Sequence, residues 1–204
     1  MADFSPRFST PVNAPRPRGK RLLTAFSPKL DRSIQAFDYL GLEQWIRLET
    51  DPRVISFCER PAFIDATGKG RLIDFWVQHR DGEEMLVIDR AGGADATPQT
   101  ASGVALRVVP PAELVAARTW IANWLRMIPT INATRKLLTK TLLESAVAVL
   151  RSPMPLGQLE HELSTGDPSV VRGALFELLR TGRLTAPSLH THTLSLNTIV
   201  EPAP

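Results

Sequence analysis

The chain has 204 residues, 43% of them hydrophobic, and a formal net charge of +3, which predicts a folded protein with room for one ordinary domain and a smaller one. No apolar run approaches the ~18 residues that span a bilayer, and the N-terminus lacks signal-peptide order, so we expect no membrane partner and a cytoplasmic location. The single cysteine, Cys58, excludes an internal disulfide and a cysteine-rich zinc site.

The N-terminal segment, residues 1–24, is basic and is predicted to be a disordered arm. No acidic residue lies between Asp3 and Asp31, and the prolines of the stretch from Pro15 to Arg21 prevent a helix. An extended arginine-rich segment can lie along phosphates or enter a DNA minor groove, whereas a tail with incidental charge is the alternative. The candidate DNA-binding residues in and just after this arm are Arg16, Arg18, Lys20, Arg21 and Lys29.

A first helix is predicted to begin at Asp31 or Ser33, either of which can act as its N-cap, and to end before Asp51-Pro52. Its apolar positions recur at helical spacing and are Phe37, Leu40, Trp45, Ile46 and Leu48. Short strand-like runs follow at 53–57 and 61–65. The chain is therefore expected to pass from a helix into a sheet.

Residues 70–90 predict a β-hairpin that carries an acid near each outer end. If a two-residue Asp81-Gly82 turn joins the strands, Asp74 faces Asp89. Two carboxylates that close repel unless a cation, a proton or arginine neutralises them, and a divalent metal ion is the obvious candidate. Two alternatives stay open: both acids lie in water at the strand ends, or a three-residue loop turns Asp89 to the other face.

A loop is predicted at 91–103, where glycine, alanine, threonine, serine and proline dominate. An apolar strand follows at 104–109, and Pro110-Pro111 opens a helix with apolar residues at helical spacing. A break near 129–135 ends this part of the chain. A helix, a mostly antiparallel sheet and a closing helix make a compact α/β unit, which we place at residues 25–130.

Residues 131–204 are predicted to form a second, smaller domain. Apolar helices are indicated at 137–150 and 154–163, and Asp167 caps a third helix that ends at Gly182. The alternation after this helix is typical of a β-hairpin, and three helices followed by a hairpin is the winged-helix order. A third helix of this kind can enter a major groove. Its candidate DNA-binding residues are Arg172 and Arg180.

Short motifs along the chain carry a family resemblance. They are Phe26-Ser-Pro-Lys29, Leu48-Glu-Thr-Asp-Pro-Arg-Val54, Phe57-Cys-Glu-Arg-Pro61, Ile73-Asp-Phe-Trp-Val77 with Asp81-Gly82, and Leu86-Val-Ile-Asp-Arg90. Their order and spacing resemble those of the TnsA-type endonuclease subunits of heteromeric transposases, over about residues 20–200. The resemblance implies a restriction-endonuclease-like mixed sheet flanked by helices, the PD-(D/E)XK nuclease fold, followed by a small winged-helix domain.

Members of this family cut DNA with a helix glutamate, an aspartate at a strand start and a Glu-Val-Lys triplet, and the acids hold Mg²⁺. The resemblance assigns the aspartate to Asp74. The helix glutamate falls at or close to Gly41, so Glu43 is its nearest replacement. The triplet becomes Ile88-Asp89-Arg90, in which Asp89 supplies the acid only through a one-residue shift. The implied catalytic residues are Asp74, Asp89, Glu43 and Arg90, and the implied metal ligands are Glu43, Asp74 and Asp89.

Three functions are compatible with these residues. The first is an active, Mg²⁺-dependent endonuclease that nicks transposon ends. The second is a TnsA-like adaptor that no longer cuts and that touches DNA through the arm and the winged helix. The third is a winged-helix regulator with an unrelated sensing domain. For the first two, the resemblance implies transposon-end DNA, a strand-transfer transposase subunit and an AAA+ regulator as partners, and the departures at the triplet favour weak or no cleavage, because arginine cannot accept a proton.

Overall fold

The computed structural model describes residues 5–65, 70–91, 99–101, 103–163 and 167–203. These residues divide into two compact units, Met1–Glu49 with Arg53–Ala116, and Thr50–Pro52 with Ala117–Pro204. The sequence analysis placed the boundary after residue 130, whereas the structure places the helix at 118–134 in the second unit. The reason is that this helix packs more extensively on the helix at 168–180 than on any other helix.

The first unit is built around a mixed sheet. Its elements are β1 (Leu23–Ser27), β2 (Arg32–Ala36), α1 (Tyr39–Thr50), β3 (Val54–Glu59), β4 (Phe75–His79), β5 (Glu83–Ile88), β6 (Gln99–Ala101), β7 (Val104–Val109) and α2 (Pro111–Ala116). β1 and β2 form a separate antiparallel pair, and the other five strands form one sheet in the order β3-β4-β5-β7-β6. β5 and β7 run parallel and the remaining pairs antiparallel, so the mixed α/β class is confirmed.

The chain forms a strand where the sequence analysis began its first helix. In β2, Ile34 and Ala36 are buried while Ser33 and Gln35 are exposed, which is the two-residue alternation of a strand. Asp31 does not cap a helix but lies in the preceding turn with φ of 50°. The predicted helix start was wrong because this alternation over five residues is too short to be distinguished from a helical period.

The N-terminal arm is predicted to be disordered, yet its described residues have defined contacts with the sheet. The ring of Phe8 packs edge-on against Trp76, with 5.7 Å between the ring centroids. The backbone N–H of Val12 donates to the carbonyl of Arg60 at 2.8 Å. Apolar packing and main-chain bonding therefore fix this segment on the first unit.

The hairpin exists, but its turn lies one residue earlier than predicted. Trp76 pairs with Met85, and the N–H of His79 donates to the carbonyl of Gly82 at 2.8 Å, so the turn residues are Arg80-Asp81. Asp74 consequently does not face Asp89, and that predicted register is wrong. The observed register places Trp76 and Met85 in one buried cluster with Cys58, which explains why core packing selects it.

The loop predicted at 91–103 falls partly on residues 92–98 and 102, which lie outside the described residues. Residues 99–101 form the edge strand β6 rather than loop. In the predicted strand at 61–65 the structure has a single bridge, between Phe63 and Leu72.

The second unit consists of helices and a small sheet. Its elements are α3 (Arg118–Thr134), α4 (Lys140–Val149), β8 (Met154–Pro155), α5 (Leu156–Glu162), α6 (Pro168–Arg180), β9 (Leu184–Thr185) and β10 (Ile199–Pro202). The three strands pair in the order β8-β10-β9. The predicted cap of α6 is confirmed, because the N–H of Ser169 donates to Asp167 Oδ1 at 2.8 Å. Pro129 lies inside α3 and does not break it.

The segment after α6 is not the continuous hairpin that its alternation predicts. The side chain of Asn123 holds it as a loop, since its Nδ2 donates to the carbonyls of Leu189 and His192 at 2.9 Å each. The ring of His190 stacks on Trp120 with 4.1 Å between the centroids. A hydrogen-bonding partner on α3 therefore overrides the local pattern. In the described part of the chain, no helix has the length and apolarity needed to cross a bilayer.

Candidate functional site

A cleft of about 240 Å³ opens in the first unit beside the start of α1. Its walls come from β2, the first turn of α1 and the ends of β3 and β4. Arg90, the second residue after β5, completes them. Asp38, Asp74 and Arg90 lie in it together. The cleft therefore contains two of the four residues that the resemblance assigns to catalysis.

The carboxylate of Asp74 is held by Arg90 in a two-point ion pair. Arg90 Nη2 donates to Asp74 Oδ1 at 2.7 Å, and Arg90 Nη1 donates to Oδ2 at 3.0 Å. The backbone N–H of Ile88 donates to the same Oδ2 at 2.7 Å. Paired guanidinium and carboxylate groups of this kind are among the stronger hydrogen-bonded contacts in proteins. The charge of Asp74 is thus already balanced within the chain.

The same arginine also binds a second carboxylate, that of Asp38. Arg90 Nε donates to Asp38 Oδ2 at 2.7 Å, and the N–H of Gly41 donates to Asp38 Oδ1 at 2.9 Å, which makes Asp38 the cap of α1. Burial by itself would raise the pKa of Asp38, but the hydrogen bonds from Arg90 and Gly41 and the nearby charges of Arg90 and Lys20 lower it below its ordinary value. Asp38 is therefore ionised near neutral pH.

One guanidinium thus lies between two carboxylates. Burial opposes its charge, but the hydrogen bonds that Arg90 donates to Asp74 and Asp38 and the charges of these two acids together outweigh burial and raise the pKa of Arg90. Arginine stays protonated at working pH and cannot take a proton from water. Arg90 therefore acts here as a fixed counter-ion.

The residues of this cleft do not fit a divalent metal ion. Magnesium needs several oxygen ligands in a near-octahedral arrangement, but each of the three acids that line the cleft, Asp38, Glu59 and Asp74, already binds a guanidinium. The position that carries the triplet acid in the family is Ile88, which is fully buried. Within residues 5–65, 70–91, 99–101, 103–163 and 167–203, no group of three or more His, Cys, Asp or Glu side chains could hold a metal ion.

Asp89 does not line the cleft that contains Asp74 and Arg90. Its N–H donates to the carbonyl of Val109 at 2.9 Å, and its Oδ1 accepts from the N–H of Ala91 at 3.1 Å. Asp89 follows β5, and continued alternation places it on the face of Met85 and Val87 rather than on that of Arg90. The structure therefore does not bring Asp89 together with Asp74 and Arg90.

Glu43, the predicted replacement for the helix glutamate, does not line the cleft either. Gly41, the position to which the resemblance assigns that glutamate, does line it. The acid at this end of α1 is its N-cap, Asp38, a position that the sequence analysis placed inside the predicted first helix. The signal that could have identified it is the spacing of Asp38 and Gly41, because a capping aspartate accepts from the N–H two or three residues later.

Two of the motifs that carry the resemblance form a buried structural contact at the C-terminal end of α1. Ser27 Oγ donates to Glu49 Oε2 at 2.5 Å, and the N–H of Lys29 donates to Glu49 Oε1 at 2.9 Å. The ammonium of Lys29 donates to the carbonyls of Leu48 and Val54 at 2.8 Å each. Lys29, predicted to contact DNA, instead ties the end of α1 to the strands around it.

The other predicted DNA contacts differ in how available they are. Arg16, Arg18, Lys20 and Arg21 are exposed on the arm. Arg172 is paired with Glu160, whose carboxylate oxygens accept at 2.6 and 2.7 Å. Arg180 is only 7% exposed and binds Glu177. Arg172 is exposed but held in a two-point ion pair, so the predicted DNA-binding residues that are exposed without such a pair in the described chain lie on the arm.

Comparison with known protein families gives no matching family model, and comparison with curated proteins gives no match. The resemblance to TnsA-type subunits therefore rests on the short sequence motifs. The fold class, a mixed sheet with helices, is compatible with that relationship.

Proposed function

We propose that this chain is a TnsA-like subunit of a heteromeric DNA transposition machinery, which docks at transposon-end DNA and at partner transposition proteins and does not itself cut DNA. The observation that carries this proposal is the position of Arg90. Its guanidinium binds Asp38 and Asp74 at 2.7 Å each, where a nuclease of this class would need its carboxylates for metal ions. A cleft neutralised in this way has no means of activating water.

The arrangement around Arg90 also supports the family relationship. Asp74 directly precedes β4, and Arg90 follows β5, its antiparallel partner. The two side chains meet at the same end of the hairpin, as the aspartate and the triplet lysine of the family would. A scaffold that keeps this placement while replacing the second acid with Ile88 is what we expect of a nuclease fold retained for docking.

The second unit supports a winged-helix assignment through its element order. α4, β8, α5, α6, β9 and β10 follow one another, and the last strand pairs with both others. Its third helix, α6, is poorly suited to reading bases, because eight of its thirteen residues are buried. We therefore assign this unit to docking on protein, and we rank a DNA-binding regulator second.

A nicking assay tests the loss of cleavage. Supercoiled plasmid carrying the transposon end is incubated with the full chain, with and without its strand-transfer partner, in Mg²⁺ or Mn²⁺. We expect no metal-dependent nicking by wild type, by Asp74→Ala or by the matched control Asp81→Ala, whose side chain is an exposed turn carboxylate. Nicking by wild type and by the Asp81 variant that disappears in the Asp74 variant would contradict the proposal.

Restoring the family residues tests the scaffold separately from activity. The double variant Ile88→Glu with Arg90→Lys places an acid and a shorter cation beside Asp74, so we expect Mn²⁺ to raise its melting temperature. Wild type should show no such shift because Arg90 occupies the carboxylates. If Mn²⁺ leaves a folded double variant unchanged, the likeness of this hairpin to a nuclease hairpin is lost.

A further inference from the structure

Arg60, at the end of β3, is a buried cation with incomplete bonding. Its side chain is 8% exposed, and its guanidinium lies 4.7 Å from the centroid of the Phe37 ring. Nη1 donates to the carbonyl of Gln35, but Nε is buried without a hydrogen-bond partner among the described residues. Among the buried side-chain nitrogen and oxygen atoms that lack a hydrogen-bond partner in the described chain, Arg60 Nε is the only one on a charged group. A buried polar atom of this kind needs an explanation.

The charge of Arg60 is not balanced by a neighbouring acid. In the described ranges, no carboxylate lies within ion-pair distance of it, and the adjacent Glu59 is bound by Arg32 at 2.7 and 2.9 Å. Burial lowers the pKa of Arg60, and the charge of Glu59 only partly offsets this effect. The backbone of Arg60 also has φ of 48°, which non-glycine residues rarely adopt. Strain and an unpaired charge at one residue are typical of a ligand site.

Two clefts meet at this arginine. The cleft of about 240 Å³ described above and a second cleft of about 310 Å³ share Gln35, Phe37 and Arg60. Arg16 lines the second cleft, and Lys20 and Arg71 line the first. The two clefts therefore adjoin at Gln35, Phe37 and Arg60, and we call them together the groove.

The groove has an excess of positive charge. Its carboxylates are already bound, since Asp38 and Asp74 pair with Arg90, and Glu59 pairs with Arg32. Lys20 lies 3.5 Å from Asp38 but is exposed, so this contact is weak. The cations that remain for a ligand are Arg16 in the second cleft, Lys20 in the first, and Arg60, which lines both.

We infer that this groove binds the phosphodiester backbone of DNA, with Arg60 receiving one phosphate and the arm cations receiving its neighbours. The planar guanidinium fork of an arginine matches the geometry of phosphate oxygens. Cations in two adjoining clefts suit a chain of repeated negative charges better than one small anion. This inference rests on the proposed function, since it identifies the surface through which the subunit would meet DNA.

Fluorescence anisotropy with the full chain and a labelled duplex oligonucleotide tests the inference across a salt series. We expect Arg60→Gln to weaken binding about tenfold or more and to reduce the slope of log K against log salt by about 0.9, which corresponds to one phosphate. The matched control is Arg80→Gln, which removes the same charge from an exposed turn of the same unit outside both clefts. It should change affinity by less than about twofold. Equal effects of the two variants would overturn the groove while leaving the docking function intact.

Two further measurements keep the inference testable. If circular dichroism shows that Arg60→Gln does not fold, Lys20→Gln and Arg16→Gln replace it, because both side chains are exposed and line the groove. Each should reduce the salt slope, and unchanged slopes would overturn the inference. Inorganic phosphate is titrated in parallel and followed by melting temperature. Stabilisation by phosphate without any DNA binding would show a small-anion site and would overturn both the groove assignment and the proposed DNA docking.

Discussion

Arg90 and Arg60 line the same cleft but differ in how their charges are balanced. Arg90 is bound by two carboxylates through side-chain hydrogen bonds of 2.7 to 3.4 Å. Arg60 donates to one carbonyl and lies over one aromatic ring, and its buried Nε has no hydrogen-bond partner among the described residues. The first pairing consumes the acids that a nuclease would use. The charge of Arg60 is buried and has no carboxylate partner in the described chain, so an external anion can balance it. Arg90 therefore stabilises the fold, whereas Arg60 marks the part of the cleft that is suited to bind a ligand.

The largest expected effect concerns stability, where the two arginines should behave differently. Arg90→Gln leaves Asp38 and Asp74 close together without a cation, so we expect the free energy of unfolding to fall by about 2 kcal/mol. Arg60→Gln removes an unpaired buried charge and should change it by less than about 1 kcal/mol in either direction. Urea unfolding measures both. Similar losses for the two variants would remove the distinction between these regions.

Removing the arm charges tests whether the arm contributes to DNA binding. Replacing Arg16, Arg18 and Arg21 together by glutamine removes exposed charges that have no ion pair within the described residues, so folding should be unaffected. DNA binding should weaken about tenfold, or roughly 1.4 kcal/mol, and its salt slope should flatten. Anisotropy across a salt series measures both quantities. A triple variant with the wild-type slope would mean that the arm does not bind phosphates.

The pH dependence of stability tests the paired side. Because the folded pKa of Asp38 lies below its ordinary value, its contribution is fully present above that value and is lost as pH falls through the folded pKa. Asp38→Asn should cost about 1 kcal/mol at neutral pH through loss of the ion pair with Arg90, because asparagine can keep the cap. Its stability should also fall less than that of wild type as pH drops below about 4. Parallel pH profiles in urea unfolding would rule out this role for Asp38.

The smallest effect is expected at α6. Arg172 is bound to Glu160 and has no open role in the groove, so Arg172→Gln should alter DNA affinity by less than about twofold. The same anisotropy titration measures this. A loss as large as that of Arg60→Gln would move the DNA surface to the second unit and favour a winged-helix regulator.

The candidate site could be predicted only in part from the sequence. The motif order brought Asp74 and Arg90 into one site, and the structure places them 2.7 Å apart. It could not predict that Arg90 also reaches Asp38, because these residues are 52 positions apart and no local pattern links them. Arg60 gave no signal at all, since an arginine before a proline is ordinary until its burial is known.

Local chemistry in the sequence determined the mixed α/β class, the hairpin, the cap of α6 at Asp167 and the basic character of the arm, because caps, alternation and charge runs act within a few residues. Tertiary structure decided the register of the hairpin, the strand at β2 and the capping role of Lys29. It also decided that Arg90 binds two carboxylates and that Arg60 binds none within the described residues. The physical reason is that strand register and ion pairing depend on burial and on partners brought together by folding, and a linear pattern contains neither.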